Sequence, residues 1–101
     1  MNLYYFKLVT QEEIIAPAEK TQDGWYVKNP AQLVHLQDYK IALANWLPYT
    51  KIDEGRTIPN AAVVIALDVA DDMEDYYTKW LNPNMTDTIK VNEKGEVQLN
   101  K

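Results

Sequence analysis

Cysteine and serine are absent from this 101-residue sequence, and histidine and arginine occur once each, as His35 and Arg56. The first two absences exclude thiol and serine nucleophiles and any disulfide framework. With one imidazole and no thiol, a transition-metal site would have to be almost wholly carboxylate, so no metal and no cofactor are expected. The three glycines, at 24, 55 and 95, stand singly, which rules out the phosphate-cradling loops GxxxxGKS/T and GxGxxG. Nucleotide hydrolysis therefore has no support. No stretch approaches the ~20 apolar residues that span a bilayer. The opening MNLYYFKLVTQEE has no basic stretch followed by an apolar run and a small-residue cleavage site. A cytoplasmic protein without membrane contact is expected.

Positive charge is also in short supply. Ten Lys plus Arg oppose fifteen Asp plus Glu, a formal net charge of −5. Residues 1–50 carry four basic and five acidic groups, residues 51–101 six and ten, so the acidity lies in the second half. Proteins that hold nucleic acid mainly through phosphate neutralisation are usually basic, often with isoelectric points above about 9; the value here is about 4.7. No DNA binding is expected.

What is present is a chain of ordinary domain length, 47% hydrophobic, enough to bury one core. Residues 3–10 are rich in aromatic and β-branched types, and alternation places Tyr4, Phe6 and Leu8 on one face of a first strand. A second runs from Glu12 through Ala18 and is bent at Pro17, which cannot donate to a ladder. Asp23-Gly24 signals a tight primed turn, and a third strand begins at Trp25, is interrupted at Asn29-Pro30 and resumes over 32–36. A fourth runs from Lys40 to about Leu47. Residues 48–55 read as loop, Ile58-Pro59-Asn60 as a sharp corner, and Ala61–Leu67 as a fifth strand, apolar on both faces. The fourth is two-sided as well, with Ile41 and Leu43 against Ala42, Ala44 and Trp46. Either the following helix or a second subunit must cover the extra face.

From Asp68 the period changes. Val69, Met73, Tyr76, Tyr77 and Trp80 form one helical stripe, with Asp68 as cap and Asn82-Pro83 as stop. Thr88–Val91 and Glu96–Leu99 then flank Asn92–Gly95 as a small hairpin. The expected fold is mainly β and a single domain: a small, strongly bent, five-stranded antiparallel barrel over 3–68, an amphipathic helix over 68–82, and a polar tail with that hairpin over 83–101.

No constellation points to an enzyme. The acidic cluster Asp68, Asp71, Asp72, Glu74 and Asp75 reads as a solvated helix face whose first-turn charges suit the macrodipole. His35, as a general base, would need an orienting carboxylate and a pocket. Seven Tyr and three Trp suit core and subunit contacts, with base stacking as the minority use.

The strand order, and the segments Phe6–Ala16, Asp23–Pro30, Asn45–Tyr49 and Ile58–Val64, resemble the Sm-like family of small SH3-like barrels, most of all the Sm-like proteins of tailed phages of marine bacteria. The family has a glycine after its first strand where this chain has Gln11, an Arg-Gly pair where it has Pro59-Asn60, and an asparagine where it has Val27. The resemblance implies a closed ring of five to seven copies, formed by the fourth strand of one subunit pairing with the fifth of the next. In RNA-binding members the two loops that match Asp23 and Asn60 form the base pocket. With that Arg and Asn missing, RNA binding does not carry over residue by residue; RNA is the first ligand class expected, and if it binds, contacts are expected from the Asp23 and Asn60 loops, with stacking on Trp25 or Tyr26. The alternative is a phage structural or host-protein adaptor that binds no nucleic acid, which the acidity and the departures from the pocket motif favour.

Overall fold

A computed structural model describes residues 1–82, 89–91 and 97–99. The chain divides into two compact units, 1–70 and 71–101. The first holds strands β1 (Asn2–Leu8), β2 (Glu13–Lys20), β3 (Gly24–Val27), β4 (Ala31–His35), β5 (Ile41–Asn45), β6 (Arg56–Pro59) and β7 (Val63–Asp68). The second holds helix α1 (Asp71–Leu81) and strands β8 (Ile89–Val91) and β9 (Val97–Leu99).

All seven strands of the first unit belong to one antiparallel sheet that does not close. Its main path runs β5-β4-β2-β1-β7, with β3 and β6 branching from β2. The branch point follows from a single residue type. One edge of β2 pairs with β1 from Glu13 to Ala18, whereas the other pairs with β4 at Ile14 and Ile15 and with β3 from Ala18 to Lys20. Pro17 lies at the changeover; having no N–H to give, it only accepts, from Lys28 N at 3.1 Å.

Alternation along β1 and β2 sends Phe6, Leu8, Ile14, Ala16 and Ala18 to one face, where they meet Val27 and Ile58, all buried. Tyr4 and Trp25 close this core as an aromatic cluster, the Trp25 ring standing 4.8 Å from Tyr4 and 5.3 Å, edge-on, from Phe6. Ile15, Ala31 and Leu43, on the opposite face by the same alternation, are buried too.

Seven strands replace the expected five for two local reasons. Asn29, with φ of 47°, and Pro30 break the third predicted strand into β3 and β4. Arg56–Pro59, expected as loop and corner, is a strand because it pairs with β3 from Gly24 to Val27, and the corner itself is a 3-10 turn over Asn60–Ala62. The fifth predicted strand is β7, and its expected burial on both faces does not occur: Val64 is 63% exposed, Leu67 51% and Ile65 44%. Val64 is the extra residue of a bulge, since Lys7 pairs with Ile65 and Leu8 with Val63.

Asp68 does not cap the helix; it is the last residue of β7, opposite Tyr4. The helix starts at Asp71 and has Asp71, Asp72 and Glu74 in its first turn. Tyr77 is its one buried residue, and burial raises that phenol's pKa; its ring lies 5.7 Å from Trp80. The expected hairpin is present as β8 paired with β9, Ile89 opposite Leu99 and Val91 opposite Val97. Its loop, and the stop at Pro83, lie outside the described residues.

Candidate functional site

The loops of Asp23 and Asn60 are 37 positions apart in sequence and adjacent in the fold. Asn60 N donates to the Asp23 carbonyl at 3.0 Å, and Asn60 Nδ2 to the Gln22 carbonyl at 3.2 Å. Beneath them β3 runs so close to β6 that a Cβ on Gly24 would lie 2.0 Å from the Ile58 carbonyl oxygen. Glycine is needed there for close approach rather than for the turn, because neither Gln22 nor Asp23 has positive φ.

Trp25 and Tyr26, the two residues expected to stack, project to opposite faces of β3. Trp25 joins the aromatic core cluster and has Lys20 Nζ 5.9 Å from its ring centroid. Tyr26 reaches over Gly55, where a Cβ would stand 2.1 Å from the phenol oxygen. The structure thus brings Asp23 and Asn60 together and separates the two aromatics.

A second cluster, which the sequence did not reveal, joins β1, β2 and β4. Tyr5 Oη donates to Glu13 Oε2 at 2.5 Å, and His35 Nε2 meets Glu13 Oε1 at 2.6 Å. Partial burial and the adjacent carboxylate push the Tyr5 phenol up to about 12. The hydrogen bond from Tyr5, and after it that of His35, holds the Glu13 carboxyl below the usual range. His35 therefore has the orienting carboxylate that sequence could not supply. The only advance signal was the pairing of the first two strands, since Glu13 lies opposite Lys7 and diagonal to Tyr5.

At the end of the core opens a cavity of about 310 Å³, between the β1–β2 turn, the segment after β5, and β6. Its walls are mostly apolar, from Leu8, Trp46, Ile52, Ile58 and Ala62, with Glu12 and Arg56 as its charged residues. Glu12 fixes one wall, accepting the Trp46 indole N–H at 3.0 Å and the Thr10 hydroxyl at 2.8 Å. Neither Glu13 nor His35 lines it.

Three strands of the sheet keep an open edge. Among the described residues β5 pairs only with β4, β6 only with β3, and β7 only with β1. Each therefore presents an outer row of backbone donors and acceptors, and on β7 this row is accompanied by the exposed Val64, Ile65 and Leu67. Among the described residues no group of three His, Asp or Glu side chains converges to hold a metal ion, and no helix is long and apolar enough to cross a membrane.

Compared with protein-family models and with curated proteins, the sequence matches none.

Proposed function

We propose that this protein is a non-enzymatic, self-assembling module of Sm-like type, in which β5 of one copy pairs with β7 of the next to close a ring of five to seven subunits. The observation that carries the reading is the pair of open edges at the two ends of the path β5-β4-β2-β1-β7, one of them apolar and exposed. Edge-to-edge pairing satisfies both of these rows of backbone groups and covers Ile65 and Leu67, and a closed ring leaves neither of the two edges over. The strand pattern supports the barrel assignment. Counting β3 with β4, and β5 with β6, as interrupted single strands gives five, with a 3-10 turn before the last. Gln11 supports it too, because where the family carries glycine this residue has φ of 79°.

RNA is the ligand class of this reading, held at the rim made by Asp23 and Asn60, with Trp25 or Tyr26 as the stacking surface. The second reading is a phage structural or host-protein adaptor built on the same ring; the net charge of −5 and the packing of Trp25 against Tyr4 and Phe6 favour it.

Native mass spectrometry of protein purified without nuclease tests both. A closed assembly carrying mass that ribonuclease removes is the expected result, and a bare ring selects the adaptor. A monomer at micromolar concentration overturns the module itself. Ile65→Lys, at a 44% exposed position, should keep the fold and abolish assembly.

A further inference from the structure

We infer that the cavity at the end of the core is a binding site for a small apolar carboxylic acid, with Arg56 as the anion-binding group. About 310 Å³ falls at the lower end of small-molecule sites. At roughly 30 Å³ per water-sized group it holds about ten such groups. Leu8, Trp46, Ile52, Ile58 and Ala62 offer a ligand body nothing but hydrocarbon and an indole face, since the indole N–H is taken by Glu12.

The single arginine of the chain is placed to receive the head of such a ligand. Arg56 and Ile58 are two residues apart on β6 and so share a face. That face is the core side, because Ile58 belongs to the buried cluster. Arg56 is exposed, lines the cavity, and makes one hydrogen bond among the described residues, from Nη1 to the Gly55 carbonyl at 3.0 Å. A guanidinium has five N–H donors in a planar fork, so a pair suited to a carboxylate remains available.

Charge also sets the orientation. Glu12 and Arg56 form no ion pair, so the lining has a negative and a positive station standing apart. Both Glu12 oxygens are already engaged, by Thr10 and Trp46. An anionic head is repelled from the Glu12 end and drawn to Arg56, leaving the tail against Trp46 and Leu8. A cationic amphiphile of the same length has no such fit.

The test is a titration of the whole chain with decanoate below its micellar concentration, followed by Trp fluorescence and calorimetry, with decyltrimethylammonium as the control of opposite charge. Saturable binding of one decanoate per chain is expected, with no saturable binding of the cation. Arg56→Gln, which keeps the Cβ–Cδ stem and a polar end but loses the charge and the guanidinium fork, should weaken decanoate by about tenfold or more, the scale of a charge-assisted pair. Ala62→Leu, which fills the cavity and leaves Arg56 in place, should abolish it, and thermal unfolding of each variant verifies that it folds. No saturable binding to the wild type, equal binding of the cation, or decanoate affinity unchanged in both variants overturns the assignment. The subunit count does not enter any of these outcomes.

Discussion

The turn between β2 and β3 and the turn between β4 and β5 do the same job, reversing an antiparallel pair, with opposite residues. The first contains Asp23-Gly24, the pair that favours a primed turn, yet its residues keep negative φ; Thr21 N donates to the Gly24 carbonyl at 2.8 Å, and Gly24 N to Thr21 Oγ1 at 3.1 Å. The second contains no glycine, yet Asp38 and Tyr39 both have φ of 61°, the primed form, with Lys40 N bonded to the Gln37 carbonyl at 3.3 Å. Tertiary crowding explains the exchange. Gly24 lies under the Ile58 carbonyl, where no side chain fits, whereas Tyr39 is fully exposed and has space for its ring but an unfavourable backbone. A glycine signature reports the absence of a side chain, and the fold decides whether room or dihedral freedom is what it is used for.

The sharpest way to break the contrast is Gly24→Ala. The new methyl would collide with backbone, which cannot swing aside as a side chain can, so β3 and β6 must separate. A loss of about 3 kcal/mol or more is expected in urea unfolding, the upper range for overpacking. A loss under 1 kcal/mol would show that the two strands do not approach so closely. Tyr39→Gly should act in the reverse direction, stabilising by about 1 kcal/mol as the left-handed strain is relieved. A drop in melting temperature for this variant would mean that the ring has a partner. Gln11→Gly, in a turn where Leu8 N bonds to the Glu12 carbonyl at 2.9 Å and Gln11 is the left-handed residue, is the same experiment at a third turn. About 0.5 kcal/mol of stabilisation is expected after the entropy that glycine returns to the unfolded chain.

The smallest effect concerns how the two hairpins are anchored. The β2–β3 turn is tied by Asn60, and the β4–β5 hairpin by the His35–Glu13–Tyr5 chain. The Glu13 carboxyl has a lowered pKa in the fold, so its contribution is present above the ordinary carboxylate pKa and is lost as pH falls through the folded value. The Tyr5 phenol is raised from 10.0 to about 12, so its contribution is present below pH 10.0 and fades as pH climbs to about 12. Stability should decline at both ends, Glu13→Gln flattening the acid limb and Tyr5→Phe the alkaline limb. Unchanged limbs in both variants would show that the chain of hydrogen bonds contributes nothing in solution.

Legibility in the sequence followed the range of the interaction. β1, β2 and β7 are visible as runs of alternating or continuous apolar residues, and the helix as a stripe through Met73, Tyr77 and Trp80, because these patterns are local. β6 is not. Arg56-Thr57-Ile58-Pro59 has no period and ends in proline, and it is extended only because β3, some thirty residues earlier, supplies its partner. Asp68 was misplaced because an acid before an amphipathic run fits a cap as well as a strand end, and only the pairing with Tyr4 separates the two. For the candidate site, the adjacency of Asp23 and Asn60 was expected only through the resemblance to Sm-like loops, and not from any local pattern. The Glu13 clasp and the cavity were not, since each depends on side chains brought together from three or more separate segments.

The pairing of β1 with β7 also governs how the molecule is made. β1 leaves the ribosome well before β7, and its second edge has no partner until Val63–Asp68 follows, 55 residues after Leu8. At roughly 5–20 residues per second the nascent chain spends about 3–11 s with that strand open, beside a β1–β2 hairpin carrying Phe6, Ile14 and Ile15. Sheet formation is thus late and long-range, the kind that folds slowly. The interval in which β1 lacks its second partner is therefore set by the rate of synthesis.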